Sequence, residues 1–554
     1  MSLIVKAVAF VTARQWRRWV ELTKNSRAVQ QQRLLEIVGR NRATRFGRDH
    51  RFDQIRTLSD YRKHVAIDDY ERLRPYIERA KSGGAAELTE EPVLMFTVTS
   101  GSTGEPKLIP VTETSKRSHR ELTRFWYHRA FADHPELVNG KFLGIVSPAD
   151  EGFTAGGIPV GAASGLIFQS SPGWIRNVYA TPIEVSRIEN FAAKYYVIMR
   201  LALGQKISFF GTPNPSTILK LVESADQNKE EIIRDIRDGA IGAHWEIKPE
   251  IRARLACRLR KNPERARQLE IFAGDHGALR PSEYWPGLQL IGCWKGGSVA
   301  VRLKEFSRWF GDSTPVRDLG YMASEAQMTL PISESGSAGI LDVSANFYEF
   351  VPEAEIDNAH PTILTCEELS EGENYYPILT TTAGLYRYDI NDVVRVAGFY
   401  NRAPLLEFVR KGRDVTSITG EKVHVNQWIE AMATAQRIAG VEVRHFRACA
   451  DAKKSLYVFS VELPGAGPGT DRLMLLLREL DGGLAKLNIE YAQKRASGRL
   501  AAPVLWVMQP GWFERGSRPA KLGREAQFKA RLLSVTPEDP EEILTVVELV
   551  NGGK

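Results

Sequence analysis

The stretch Thr99-Ser100-Gly101-Ser102-Thr103-Gly104-Glu105-Pro106-Lys107 decides how the rest of the chain is read. It gathers hydroxyl side chains, two glycines and a lysine into one short loop behind the apolar run Val93-Leu94-Met95-Phe96, which predicts a buried strand. Glycine lets backbone N–H groups converge on an anion with no Cβ in the way. Ser100, Ser102 and Thr103 add hydroxyl donors, and Lys107 supplies a positive charge. This is the chemistry of a phosphate-handling loop. A Walker A loop needs four residues between its first glycine and a Gly-Lys-Ser/Thr end, and that spacing is absent, so the P-loop NTPase reading fails.

Outward from the loop, 554 residues imply two or more domains, and 43% hydrophobic with 25% charged residues describes an ordinary globular protein. A net charge of +7 is small against 74 basic and 67 acidic residues. It tolerates an anionic nucleotide, and no nucleic-acid module is visible. Cys257, Cys293, Cys366 and Cys449 lie far apart with no C-x-x-C pair, which argues against a disulfide framework and a zinc site and favours a reducing cytoplasm. The opening run Leu3 to Val11, interrupted by Lys6 and followed by Arg14, Arg17 and Arg18, is too short to span a bilayer. An amphipathic helix packed on the main domain is the favoured reading, with membrane-surface attachment as the alternative.

Helical patterning over about residues 1–80 predicts a helical lead-in, with Asn41, Asp49 and Asp60 at caps or turns. From Leu108 to about Gly398, short apolar runs (Phe142 to Val146, Ile207 to Phe210, Leu288 to Cys293) alternate with helical stretches, which predicts α/β architecture. Past Gly412 the charge density rises and a smaller α+β unit is expected. Pro464 to Gly469 predicts a flexible surface loop within it.

Three further groups carry chemistry. Gly320-Tyr321-Met322-Ala323-Ser324-Glu325 offers an aromatic face and a carboxylate able to hold Mg²⁺ beside phosphates. Gly292-Cys293-Trp294-Lys295-Gly296-Gly297 ends an apolar run in a glycine pair, as needed where backbone approaches a flat ligand. Tyr386 to Asp392 precedes the strand-like Val393 to Val396. His64 and Asp68 have acyltransferase spacing without the glycine that follows it, and His276 suits a turn better than a base.

The first stretch resembles the TSG-[ST]-TG-x-PK signature of the acyl-adenylate-forming superfamily at all nine positions. Tyr321 to Glu325 is similar to its Y-G-x-[ST]-E element with Met322 in place of glycine, and Tyr388 to Asp392 to Y-x-T-G-D with Asn391 in place of glycine, a residue that also tolerates left-handed backbone. Leu108-Ile109-Pro110, Ser147-Pro148, Gly156 to Pro159, Phe347 to Pro352 and Gly384 to Tyr388 extend the likeness to the auxin-responsive acyl acid amido synthetases, over roughly residues 20–535. Gly523 to Arg531 resembles that family's G-x-x-x-Q-[YF]-K-x-P-R segment, and Arg410 to Val423 its hinge. Asp389-Ile390-Asn391 departs from the usual R-V-G, and the phosphate loop is closer to the general superfamily form than to the plant variant.

The resemblance implies a large adenylate-forming α/β domain over 1–411 and a small mobile α+β domain over 412–554. It implies ATP as cosubstrate with Mg²⁺ on Glu325, and Thr99, Ser100, Gly101, Ser102, Thr103, Gly104 and Lys107 around the phosphates. Gly296, Gly297 and Tyr321 would meet the base, Ser324 the α-phosphate and Asp392 the ribose hydroxyls. Lys529, with Lys521 as its competitor, would act with Glu325 and Thr103 on the reacting phosphate. The implied reaction adenylates a carboxylic acid and passes the acyl group to an amine, an amino acid above all. Coenzyme A as acceptor and a non-catalytic nucleotide-binding scaffold stand as alternatives. No obligate protein partner is implied. The acid and the amine are not legible, although Ser147 and the Gly156 to Gly165 loop are expected to line the acid pocket.

Overall fold

A computed structural model describes residues 3–84, 86–99, 107–146, 148, 151–169, 172–412, 415–416, 418, 423–451, 454–465, 467–496, 500–516, 533–534 and 542–549. The lead-in forms α1 (Leu3–Leu22), α2 (Ser26–Arg40), α3 (Arg45–Asp49), α4 (Leu58–His64) and α5 (Tyr70–Lys81). Local chemistry sets these boundaries: the Thr57 hydroxyl accepts the Asp60 N–H at 3.1 Å and the Asp60 carboxylate accepts the Thr57 N–H at 2.9 Å, a capping box that starts α4. Trp16 and Trp19 of α1 lie 5.7 and 5.8 Å from the Phe125 ring. The Trp19 indole donates to Asp342 at 2.9 Å, and the Gln30 amide donates to the carbonyls of Val343 and Asn346. The packed reading of α1 therefore holds from Thr12 onward. Among the described residues no helix is long and apolar enough to cross a membrane.

Next come β1 (Met95–Thr99) and β2 (Lys107–Val111), then α6 (Glu113–Asp133), which buries Leu122, Phe125, Trp126 and Ala130 on one face. The first strand starts at Met95, two residues later than the apolar run suggests, and its pairing with β2 runs on to Thr99. Six short strands follow: β3 (Lys141–Gly144), β4 (Gly152–Phe153), β5 (Pro159–Gly161), β6 (Ile207–Gly211), β7 (Leu290–Gly292) and β8 (Val316–Arg317). One sheet has the order β2-β1-β5-β4. A second, β3-β6-β7-β8, is parallel throughout and buried along β6 and β7, as its unbroken apolar runs require.

A third sheet is built from β9 (Thr329–Leu330), β10 (Gly339–Leu341), β11 (Phe347–Pro352), β12 (Leu364–Thr365), β13 (Asn374–Thr380), β14 (Tyr388–Asp389), β15 (Asp392–Tyr400) and β16 (Ala403–Lys411). Its order is β12-β11-β13-β15-β16-β10-β9, with β14 attached to β13.

The described chain divides into two compact units between Val409 and Arg410. The second holds a mixed sheet in the order Leu533–Ser534, His445–Asp451, Leu456–Glu462, Val504–Met508, Ile543–Glu548. Helices Val425–Ala439 and Thr470–Leu487 bury Trp428, Leu480 and Leu484 with Phe459 of that sheet, giving the α+β unit expected beyond residue 412.

Candidate functional site

Seven residues of the phosphate loop, Ser100, Gly101, Ser102, Thr103, Gly104, Glu105 and Pro106, lie outside the described residues, as do Lys521, Lys529, Ser147, Arg413, Asp414, Ser417 and the hinge residues 419–422. The ends of the loop are placed. Thr99 closes β1 directly opposite Lys107, the first residue of β2, so the two described ends of the stretch face each other on antiparallel strands. The Lys107 ammonium stands 5.5 Å from the centre of the Tyr70 ring, and the Tyr70 hydroxyl accepts the Leu108 N–H at 2.9 Å. The lysine is thus anchored at its root, with its cation over an aromatic face.

Tyr321 leads into a narrow reverse turn. Gly320 has φ +94°, and a Cβ there would stand 2.4 Å from the Thr329 carbonyl oxygen, so this position demands glycine. The Met328 N–H donates to the Tyr321 carbonyl and the Ala323 N–H to the Ala326 carbonyl, both at 2.9 Å, which puts Ser324 and Glu325 half-buried at the tip. The Tyr321 hydroxyl donates to Asp392 at 2.5 Å. Burial, and then the Asp392 charge, push the phenol far above its ordinary pKa, so it stays a proton donor.

Asp392 opens β15 and is 2% exposed. The turn before it works without glycine: the Asp389 carboxylate accepts the Asn391 N–H at 2.7 Å, and Asn391 takes φ +55°. On the other side of Tyr388, Arg387 at φ +44° is locked by two hydrogen bonds to Glu349, at 2.7 and 3.2 Å, and one to the Val65 carbonyl at 2.8 Å.

These groups converge. The Phe408 ring lies 5.6 Å from Tyr321 at an interplanar angle of 31°. A Cβ on Gly297 would stand 2.9 Å from that same ring, and one on Gly296 2.9 Å from the Phe408 carbonyl oxygen. Glu325 acts electrostatically on both Tyr321 and Tyr388, and Tyr388 in turn senses Tyr70 and Asp392. Lys107, Tyr70, Tyr388, Glu325, Asp392, Tyr321, Phe408 and Gly297 therefore form one continuous neighbourhood. Tyr70 and Phe408 escape sequence reading because each lies in an ordinary helical or strand pattern, and only their neighbours in the fold give them a role.

Among the described residues no group of three or more His, Cys, Asp and Glu could cage a metal ion. A single half-buried carboxylate such as Glu325 suits a Mg²⁺ that arrives already bound to phosphates, since that ion keeps waters and phosphate oxygens as most of its ligands.

A shallow recess of about 40 Å³ opens at the carboxyl end of β3. It is lined by Ile145, Val146, Pro148, Phe168, Ile198 and the buried Lys194, among others. Val146 and Pro148 flank the expected Ser147, whereas none of the lining residues comes from 156–165. Gly156 instead packs against Lys81 and Gly83, where a Cβ would meet backbone at 2.6 to 2.8 Å.

The GH3 family N-terminal domain matches residues 15–316, the GH3 family central domain 339–411 and the GH3 family C-terminal domain 426–538. Indole-3-acetic acid-amido synthetase GH3.4 of Arabidopsis thaliana is 25% identical, with 92% of this chain and 88% of that protein aligned. Indole-3-acetic acid-amido synthetase GH3.8 of Oryza sativa subsp. indica is 27% identical over 89% and 86%. Among solved structures, the GH3.15 acyl acid amido synthetase superimposes with a TM-score of 0.83 over 95% of both chains at 22% identity. A 2-hydroxyisobutyryl-CoA ligase reaches 0.53 at 14% identity over 93% and 90%, a likeness of fold alone.

Proposed function

The chain belongs to the GH3 family, and on that premise we propose that it activates a carboxylic acid as its adenylate and transfers the acyl group to an amino acid, forming an amide. The observation that carries this reading is the buried Tyr321 to Asp392 hydrogen bond with Phe408 and Gly297 beside it and Glu325 close by. An aromatic platform, a buried carboxylate for ribose hydroxyls and a second carboxylate toward the phosphates are what ATP requires. The curated relatives named above are amido synthetases, which supports an amine rather than a thiol as the final acceptor.

A carboxylate is a poor acyl donor because its leaving group is oxide. Its oxygen attacks the α-phosphorus of ATP, pyrophosphate leaves, and the resulting mixed anhydride carries AMP as a good leaving group. The amine nitrogen then attacks the acyl carbon, AMP departs and the nitrogen loses a proton. On this reading the residues do positioning and charge neutralisation. Asp392 orients the ribose; Gly296, Gly297 and Tyr321 flank the base. Thr99, Ser100, Gly101, Ser102, Thr103, Gly104 and Lys107 wrap the phosphates, and Ser324 meets the α-phosphate. Lys529 meets the charge that develops there, a donor of a kind commonly worth about 3 to 4 kcal/mol. Glu325 would hold a Mg²⁺, which when bound would neutralise further charge on the phosphates. The recess beside β3 receives the body of the acid. The large domain to about residue 411 holds the nucleotide, and the small one from 412 brings Lys529 to it. The buried cysteines Cys293, Cys366 and Cys449, none of them in a disulfide, suit a reducing cytoplasm.

Incubating the protein with ATP, Mg²⁺ and a panel of organic acids, and following pyrophosphate, tests the first half-reaction. Adding amino acids or coenzyme A and following AMP tests the second. Pyrophosphate release that depends on acid, with AMP release driven by an amino acid, is expected. AMP release driven by coenzyme A alone overturns the amide product.

A further inference from the structure

The parallel neighbours β7 and β8 pair Ile291 with Val316 and Gly292 with Arg317, and beyond them the chain leaves the sheet twice. From β7 it runs through Trp294 and Lys295 into Gly296 and Gly297; from β8 it runs through Gly320 to Tyr321 and the tip that carries Ser324 and Glu325. In open parallel sheets ligands collect at this carboxyl edge.

One side chain ties the two exits together. An oxygen of the Asp318 carboxylate accepts the Lys295 N–H at 2.6 Å, and the other accepts the Gly320 N–H at 2.6 Å. The Trp294 indole closes the loop by donating to the Gly320 carbonyl at 3.1 Å. The Asp318 carbonyl accepts the Trp126 indole N–H at 2.8 Å, which fixes the residue from α6 as well. Asp318 is 3% exposed. Burying a carboxylate is costly unless its oxygens are well met, and charge-assisted hydrogen bonds to backbone N–H groups are the strong kind that can meet them.

We propose that Asp318 is a positioning residue for the nucleotide base: it sets the gap between the Gly296–Gly297 turn and Tyr321, and thereby which purine fits between them. This rests on reading those two segments as walls of the nucleotide site. The charged and titratable groups around it are Lys295 and Cys293 on the turn and Glu407 of β16; the adjacent Arg317 directs its guanidinium to Glu334 and Asp133. Burial, opposed by the backbone hydrogen bonds and Lys295, raises the Asp318 carboxyl to about 6. Mild acid therefore adds a proton to one of the two oxygens and turns an acceptor into a hydroxyl that faces an N–H donor.

Calorimetric titration of the full-length protein with ATP–Mg²⁺ and GTP–Mg²⁺, at pH 7.5 and 5.5, tests the inference in the wild type and in Asp318→Asn. The expected wild type binds ATP more tightly than GTP at pH 7.5. Asp318→Asn weakens ATP by about tenfold and narrows the ATP-to-GTP ratio. Lowering the pH narrows the ratio in the wild type and leaves it unchanged in the variant. Protonation of the triphosphate itself affects both nucleotides alike and cancels in the ratio. A variant that keeps the wild-type ratio overturns the inference even if its melting temperature falls. A wild type without base preference overturns it too. Should the variant not fold, the wild-type ratio at the two pH values decides alone, and a ratio that does not change overturns the inference. Failure of the wild type to bind ATP at all brings down the function reading as well, whereas tight ATP binding with an unmoved ratio fells the Asp318 role only.

Discussion

Tyr321 and Asp392 stand 71 positions apart and meet in one buried hydrogen bond. Removing the phenol oxygen leaves a nearly inaccessible carboxylate short of a donor, a loss of about 2 kcal/mol for a bond to a charged group. Tyr321→Phe is therefore expected to weaken ATP binding tenfold or more, measured by titration calorimetry, while far-ultraviolet circular dichroism stays that of the wild type. Unchanged affinity would remove this pair from the nucleotide site. Asp392 and Glu325 are legible in the sequence because each holds a fixed spacing to a tyrosine. Asp318 is not, since a lone aspartate after a strand carries no pattern, and its two donors come from segments that only parallel strand pairing brings side by side. Phe408 is silent for the same reason: an aromatic in an alternating strand looks like core until its neighbours are known.

At the scale of elements, the turn between β14 and β15 does what glycine does elsewhere by other means. Asn391 at φ +55°, with its N–H on Asp389, gives the chain the left-handed step that brings Asp392 into register. Asn391→Gly is expected to change unfolding free energy by less than about 1 kcal/mol, whereas Asn391→Val should cost about 1 to 3 kcal/mol, since a β-branched side chain resists that backbone region. Urea unfolding followed by tryptophan fluorescence measures both, and equal stability of the two variants would refute the account. Alternating strands and helices, and the apolar runs of β6 and β7, make the parallel sheet predictable. Strand limits are less so: β3 ends at Gly144, short of the apolar run that reaches Val146, and those last residues line the recess instead.

Taken whole, the molecule separates a unit that carries the described nucleotide residues from one beginning at Arg410. If Lys529 serves only the developing charge on the α-phosphate, Lys529→Ala should slow pyrophosphate formation about 100-fold or more in a rapid-quench experiment and alter the ATP dissociation constant little. An unaltered rate would exclude that lysine and point to Lys521. Arg387 and Trp19 carry a consequence for biogenesis. Trp19 donates to a carboxylate 323 positions further on, and Arg387 reaches back across 322 positions to Val65. A ribosome adding about 5 to 20 residues per second needs roughly 15 to 60 s to make the partners of helices it has already released. Through that interval α1 can meet Phe125 of α6, but the faces of α1 and α2 that dock on Asp342, Val343 and Asn346 wait for partners not yet synthesised, so the opening segment is among the last parts of the polypeptide to be fully secured and a natural client for holding chaperones.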